Sequence, residues 1–131
     1  MRRNAFFKKW NGRVLEDWCT SVSKEFNSFQ NAFKREMNNI AEEIGATLVS
    51  YSKGHYDMSG FFERNGHYVY FHYCNYCCGG RNVVNLTDNS VMYARTAKNA
   101  KDYRGGCNND VSFDTLKETV DRLLNQEHRQ L

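Results

Sequence analysis

The stretch Leu48–Tyr76, LVSYSKGHYDMSGFFERNGHYVYFHYCNY, limits what this chain can fold into more than any other part of it. Three runs rich in Tyr, Phe and Val are broken by SKGHYD and by RNG. Aromatic and β-branched runs bounded by Gly, Asn and Asp predict strands. Asn65-Gly66 predicts a two-residue hairpin, because a type I′ turn needs positive φ at both central positions. A loop of that length also sets the register, since strand side chains alternate with a period of two. Arg64 must then face His67, Phe62 face Val69, Gly60 face Phe71 and Met58 face Tyr73. Those apolar pairs share one face, the predicted core side. The other face pairs Glu63 with Tyr68, Phe61 with Tyr70, and Ser59 with His72. Tyrosine has an apolar body and a polar tip, so this second face suits a half-wet surface or a binding platform.

The elements around the hairpin follow from spacing. Val14, Trp18, Val22, Phe26, Phe29, Phe33, Met37, Ile40 and Ile44 recur at steps of three and four, which predicts one long amphipathic helix ended by Gly45. Residues 1–13 interleave Arg2, Arg3, Lys8, Lys9 and Arg13 with Phe6, Phe7 and Trp10, and are expected to form a mobile arm whose aromatics pack on that helix, with a basic-aromatic arm for nucleic acid as the alternative. Strands are predicted over Ala46–Tyr51, Met58–Glu63, His67–Tyr76 and Ser90–Thr96, with a short run at Val83–Leu86. In the last full strand Met92 and Ala94 are assigned inward, which sends Tyr93 and Arg95 to the aromatic face. Ser112 is placed to cap a final helix over Phe113–Glu127. The expected fold is α+β: one domain over residues 1–131, two layers, a four-stranded antiparallel meander, and both helices on its apolar face.

A helix over residues 14–44 would run roughly 45 Å, whereas an eight-residue strand covers about 26 Å. Either the helix breaks near Cys19-Thr20-Ser21, where helix propensity is poor, or its first half overhangs and the front of its stripe, at Trp18, Val22 and Phe26, needs a cover. The N-terminal segment or a second copy of the chain would supply it, which makes a homodimer through that half of the helix an expectation.

The 131 residues carry a net charge of +3, which permits nucleic-acid binding without requiring it and argues against an acidic mimic of DNA. No apolar run reaches the ~18–20 residues that a membrane span needs. The first ten residues have no apolar secretory core, so the five cysteines are expected to be reduced thiols in the cytoplasm. Cys74, Cys77 and Cys78 could supply half of a zinc site, but no second pair at zinc-finger spacing accompanies them, and no metal or cofactor is expected. His55, Asp57 and His72 are the residues that acid–base chemistry would use. No nucleophile elbow or phosphate-cradling glycine fingerprint joins them, so the chain is expected not to be an enzyme. The strongest candidate for function is instead a binding surface: Phe61, Tyr68, Tyr70 and His72 with Arg95, Lys98, Lys101, Tyr103 and Arg104. Tyr and Arg dominate protein–protein hot spots. Aromatic and basic side chains also stack on bases and track phosphates, so nucleic acid is the alternative partner.

IGATLVSYSKGHYDMSGFFERNGHYVYFHY together with YARTAKNAKDYRGGCNN resembles small proteins of phages and integrative elements of gut Firmicutes, across about the last two-thirds of the chain. That group has no established activity. The resemblance implies a mobile-element protein and, by analogy, an inhibitor or adaptor such as an anti-CRISPR protein acting on a host defence nuclease. The αββββα order and Ala97-Lys98-Asn99-Ala100-Lys101 are also similar to double-stranded-RNA-binding domains. There the basic motif opens the last helix, whereas here it precedes Phe113.

Overall fold

A computed structural model of the chain describes residues 2–15, 23–74 and 83–129. The hairpin is as the Asn-Gly step predicts. Asn65 and Gly66 take φ of 54° and 80°. β2 (Asp57–Arg64) pairs antiparallel with β3 (His67–Cys74) in the expected register, from Arg64 opposite His67 to Met58 opposite Tyr73. β1 (Thr47–Lys53) lies on one side, and β4 (Met92–Ala97) and β5 (Asn109–Val111) on the other. The sheet is a five-stranded antiparallel meander in the order β1-β2-β3-β4-β5. It has one strand more than expected, because the end of the 97–110 connection pairs back on β4. The Val83–Leu86 run forms no strand; Val83 makes a single bridge, to Val14.

Helix α2 (Lys24–Glu43) carries the core stripe of Phe26, Phe29, Phe33, Met37 and Ile40, all without exposed surface. Ser23 caps it by accepting the Phe26 amide at 3.0 Å. At the other end Gly45 adopts φ 68°, the Gly45 amide donates to the Glu42 carbonyl, and the Ala46 amide donates to Ala41 at 2.8 Å. That pattern is a Schellman stop, and it needs a residue tolerant of positive φ.

The helix expected over residues 14–44 is shortened to twenty residues and starts at Lys24, just after the expected break point at Cys19-Thr20-Ser21, which lies outside the described residues. At about 30 Å it matches the strands it covers. Residues 12–14 cannot join it because they pair elsewhere: Gly12 donates to the Val84 carbonyl at 2.8 Å and Val84 to Arg13 at 2.9 Å. Val14, placed on the stripe by spacing, is 69% exposed. Trp18 and Val22 lie outside the described residues. The expected mobile arm contains a helix, α1 (Arg2–Trp10), whose Phe6 and Trp10 are buried. Phe6 packs on Phe29, Phe33 and Phe113, and Trp10 on Phe29. The arm is thus part of the core, and its aromatics pack on the helix as foreseen. Phe26 is buried within one chain, so the uncovered stripe that suggested a dimer is absent among the described residues.

Helix α3 (Phe113–Leu123) starts at Ser112, whose amide donates to Thr115 Oγ1 at 3.0 Å. Its Phe113, Leu116, Val120 and Leu123 join α1, α2 and the inner sheet residues Met58, Phe62, Val69, Phe71, Tyr73, Met92 and Ala94 in one core. It ends four residues earlier than expected. Residues 126–129 leave it to lie along the end of β4, where the Arg129 carbonyl accepts the Gly106 amide at 3.0 Å. Arg64 ties this corner together. Its guanidinium donates to Ile44 O at 2.8 Å, to Asp121 Oδ1 at 2.6 Å and O at 3.0 Å, and to Asn125 Oδ1 at 3.0 Å. One cation thereby serves the C-terminal carbonyls of two helices, where the helix dipoles favour it.

Candidate functional site: the outer face and its loop

The outer face of the sheet is built in rows across three strands. Phe61, Tyr70 and Arg95 make one row, Ser59, His72 and Tyr93 the next, and Glu63, Tyr68 and Ala97 a third. Met92 and Ala94 are buried inward, which confirms the assignment of Tyr93 and Arg95 to this side.

The loop after β4 folds back over the rows. Asn99 bridges Asp102, and Asn99 Oδ1 accepts the Lys101 amide at 2.8 Å. Asp102 Oδ1 accepts both the Arg104 amide and Arg104 Nε at 3.0 Å. Short Asn and Asp side chains that bond the backbone two residues on make such turns. The Arg104 guanidinium holds the Asp102 carboxyl below the usual carboxylate range. Gly105 and Gly106, at φ 86° and 69°, then reverse the chain. A Cβ on Gly106 would come within 2.9 Å of the Thr96 carbonyl, so the loop can close only with a bare backbone there.

The fold-back seals the middle of the face. Phe61, Tyr70 and Ala97 form a second buried cluster with Tyr68, Tyr93 and Ala100 around it. Phe61 is 7% and Tyr70 9% exposed. The platform is covered at its centre, and these two rings act by supporting others. Burial and the nearby Tyr93 phenol push the Tyr70 hydroxyl up to about 12. Arg95 lies 5.4 Å from the Tyr70 ring, 5.5 Å from Tyr93 and 5.8 Å from Tyr103. Its Nη1 donates to Asn108 Oδ1 at 3.2 Å, while its Nε is buried without a hydrogen bond. The three π faces replace that bond as the cation's environment. Tyr103 packs on Tyr70 at 5.6 Å yet remains 55% exposed. Lys98, Lys101 and Arg104 of the same loop are exposed as well.

His72 lies at the far end of the face. Its Nε2 donates to Asp57 Oδ2 at 2.8 Å, since a carboxylate can only accept. The turn that carries Asp57 is anchored from inside: Gln30 Nε2, on α2, donates to the Gly54 and Asp57 carbonyls, each at 3.0 Å. A Cβ on Gly54 would collide with the Asp57 carboxylate. The histidine is thus oriented as in an acid–base pair, and its neighbours are aromatic: Tyr93 at 5.4 Å and Tyr70 at 6.5 Å. His55, the third residue of that expectation, stays exposed in the turn and packs beside Tyr56. Cys77 and Cys78 lie outside the described residues, and Cys74 is half-buried opposite Asp57. Among the described residues no three His, Cys, Asp or Glu side chains stand close enough to share a metal ion.

A cleft of about 600 Å³ opens between the hairpin turn at Gly66-His67, the 98–104 loop and the chain's end at Gln126, Glu127 and His128. It joins segments some sixty residues apart, and no local pattern announces it. No protein-family model, curated protein or solved structure matches the chain.

Proposed function

We propose that this chain is a non-enzymatic binding protein that docks on a protein partner through Tyr103 and the basic side chains around it. The observation that carries this reading is the mounting of Tyr103. Its ring is more than half exposed, yet it packs against Tyr70 and beside Arg95, over a sealed cluster. An aromatic held ready in place loses little freedom on binding, and rigid Tyr anchors ringed by polar groups are what protein hot spots are made of. Tyr68, Lys98, Lys101 and Arg104 form the rim of this surface; Phe61, Tyr70, His72 and Arg95 hold it in shape. The phage-type resemblance adds context: a mobile-element protein that occupies a host defence component, in the manner of an anti-CRISPR inhibitor.

Nucleic acid fits the same surface less well. Arg104 is committed to Asp102 at 3.0 Å and Arg95 to three rings. Among the described residues Lys98 and Lys101 are in no salt bridge. Two cations outside salt bridges would give a salt dependence with a slope of only about −2 on duplex DNA, far short of the six to ten phosphate contacts of tight binders.

The test is capture from host lysate with and without nuclease, using wild type and Tyr103→Ala. A partner that survives nuclease and is lost with Tyr103→Ala supports the reading. A partner lost on nuclease treatment transfers the surface to nucleic acid. Light scattering of the purified chain addresses assembly; a monomer is expected, with Phe26 buried in its own chain.

A further inference from the structure

The cleft beside the docking loop has a lining of distinct chemistry. Lys98 and Arg104 line it from the loop, and His67 from the hairpin turn. The carboxylates there are Asp102 and Glu127. Asp102 is fully occupied: it accepts the Arg104 amide, Nε and Nη2. Glu127 is different. Its Oε1 lies 3.4 Å from His67 Nε2, at the outer limit of a hydrogen bond, and its side chain is 88% exposed. The chain thus rests one of its own carboxylates loosely at the lip of a cleft whose Lys98 feels the Asp102 charge but is in no salt bridge among the described residues. A weakly held internal carboxylate indicates the chemistry the cleft accepts and leaves the place open to a better one.

We infer that this cleft binds a carboxylate, and that its source is an acidic side chain of the docked protein. The geometry favours that source because the cleft shares its wall with the Tyr103 loop: Lys98, Asp102 and Arg104 line it, and Tyr103 lies between the last two. A partner seated on Tyr103 would bring its neighbouring side chains to this opening. The cleft is also open and polar, unlike the enclosed, mostly apolar sites that hold free small molecules. This inference deepens the docking reading and rests on it for the source of the carboxylate. The carboxylate chemistry itself rests on the cleft alone.

The test is a titration of the isotope-labelled full chain by NMR with three probes: an acetylated, amidated Glu-Glu-Glu peptide, succinate, and inorganic phosphate. The expected result is saturable shifts at His67, Lys98 and Glu127 with the peptide, strongly reduced in Lys98→Ala. Glu127→Gln removes the internal competitor and should tighten the peptide by roughly two- to fivefold, the range that exposed ion pairs span. No saturable shift, or equal shifts in Lys98→Ala, overturns the site. Tighter binding by phosphate overturns the carboxylate assignment, and tighter binding by succinate assigns the cleft to a free dicarboxylate instead of a partner side chain. Weaker peptide binding in Glu127→Gln overturns the role of Glu127 as a displaceable occupant. Tyr103→Ala should leave the peptide titration unchanged while abolishing partner capture. A failure of the docking reading therefore appears in the capture assay alone, and a failure of the cleft in the titration alone.

Discussion

The two faces of this sheet are made by the same strands, and they are built by different physics. Inward, Phe62, Val69, Phe71 and Tyr73 have no exposed surface and meet rings from α2: Phe71 lies 6.3 Å and Tyr73 5.4 Å from Phe33. Filling volume is the main task there, and Gly60 shows how tightly it is done. A Cβ on it would collide with the Ser50 carbonyl and come within 2.8 Å of the Phe71 ring. Outward, the aromatics carry polar tips and need a cation, a carboxylate and a folded loop to cover them. The inner face is covered by helices that cannot leave without unfolding the domain. The outer face is covered by a loop held through Asn99, Asp102 and two glycines. A surface that must be both ordered and available is therefore found on the outer side.

Replacing inner and outer rings separately should separate the two faces most clearly. Phe71→Ala removes a fully buried ring and is expected to cost about 3–5 kcal/mol, whereas Phe61→Ala, under a loop that can settle, should cost about half as much. Chemical denaturation of both variants measures this, and equal losses would mean that the loop is as much a core element as the helices.

Arg64 is the next largest effect. It binds carbonyls of α2 and α3 from a side chain only 15% exposed. Arg64→Ala should lower stability by about 2–3 kcal/mol, in the range of hydrogen bonds to charged groups. Arg64→Lys should recover little of it, since an ammonium lacks the planar fork that reaches both helices. A full rescue by Lys would show that charge alone matters at this corner.

Alkaline pH probes the outer face more gently. The Tyr70 hydroxyl is raised to about 12 from an ordinary 10, so the folded chain keeps this proton longer than the unfolded one. A group raised in this way contributes its full stability below pH 10 and loses it as pH climbs through 12. The loss should be on the order of 1–2 kcal/mol. Tyr70→Phe should flatten the outer contribution. Tyr51, raised further by burial as it donates to the Gln30 carbonyl at 2.7 Å, should keep the inner one. Phenolate absorbance followed against unfolding checks both.

The smallest expected change is at the loop's exposed cations. Lys98→Ala, Lys101→Ala and Arg104→Ala together should shift stability by no more than about 0.5 kcal/mol while weakening partner capture severalfold. Early melting would reveal the Arg104–Asp102 pair as a support of the loop.

The contrast between the faces also marks the limit of what the residues disclosed in order. Asn65-Gly66 dictated the hairpin register, and alternation from that turn divided Phe62 from Phe61, Phe71 from Tyr70, and Ala94 from Arg95 between the faces. The stripe from Phe26 to Ile40 and the stop at Gly45 were legible for the same reason: a turn of defined φ or a repeat of 3.6 is a local property, written in neighbouring residues. Tertiary structure decided the rest. The stripe beyond Ser23 continues in spacing through Val14, yet residues 12–14 pair with 83–84, because a helix extends only as far as there is sheet to cover. Residues 2–10 form a helix because Phe29, Phe33 and Phe113 offer Phe6 a buried place. The loop seals Phe61 and Tyr70, and the chain's end closes a cleft against His67 and Lys98. These are meetings of distant segments, set by which surfaces remain to be covered once the local elements have formed, and periodicity along the chain carries no record of them.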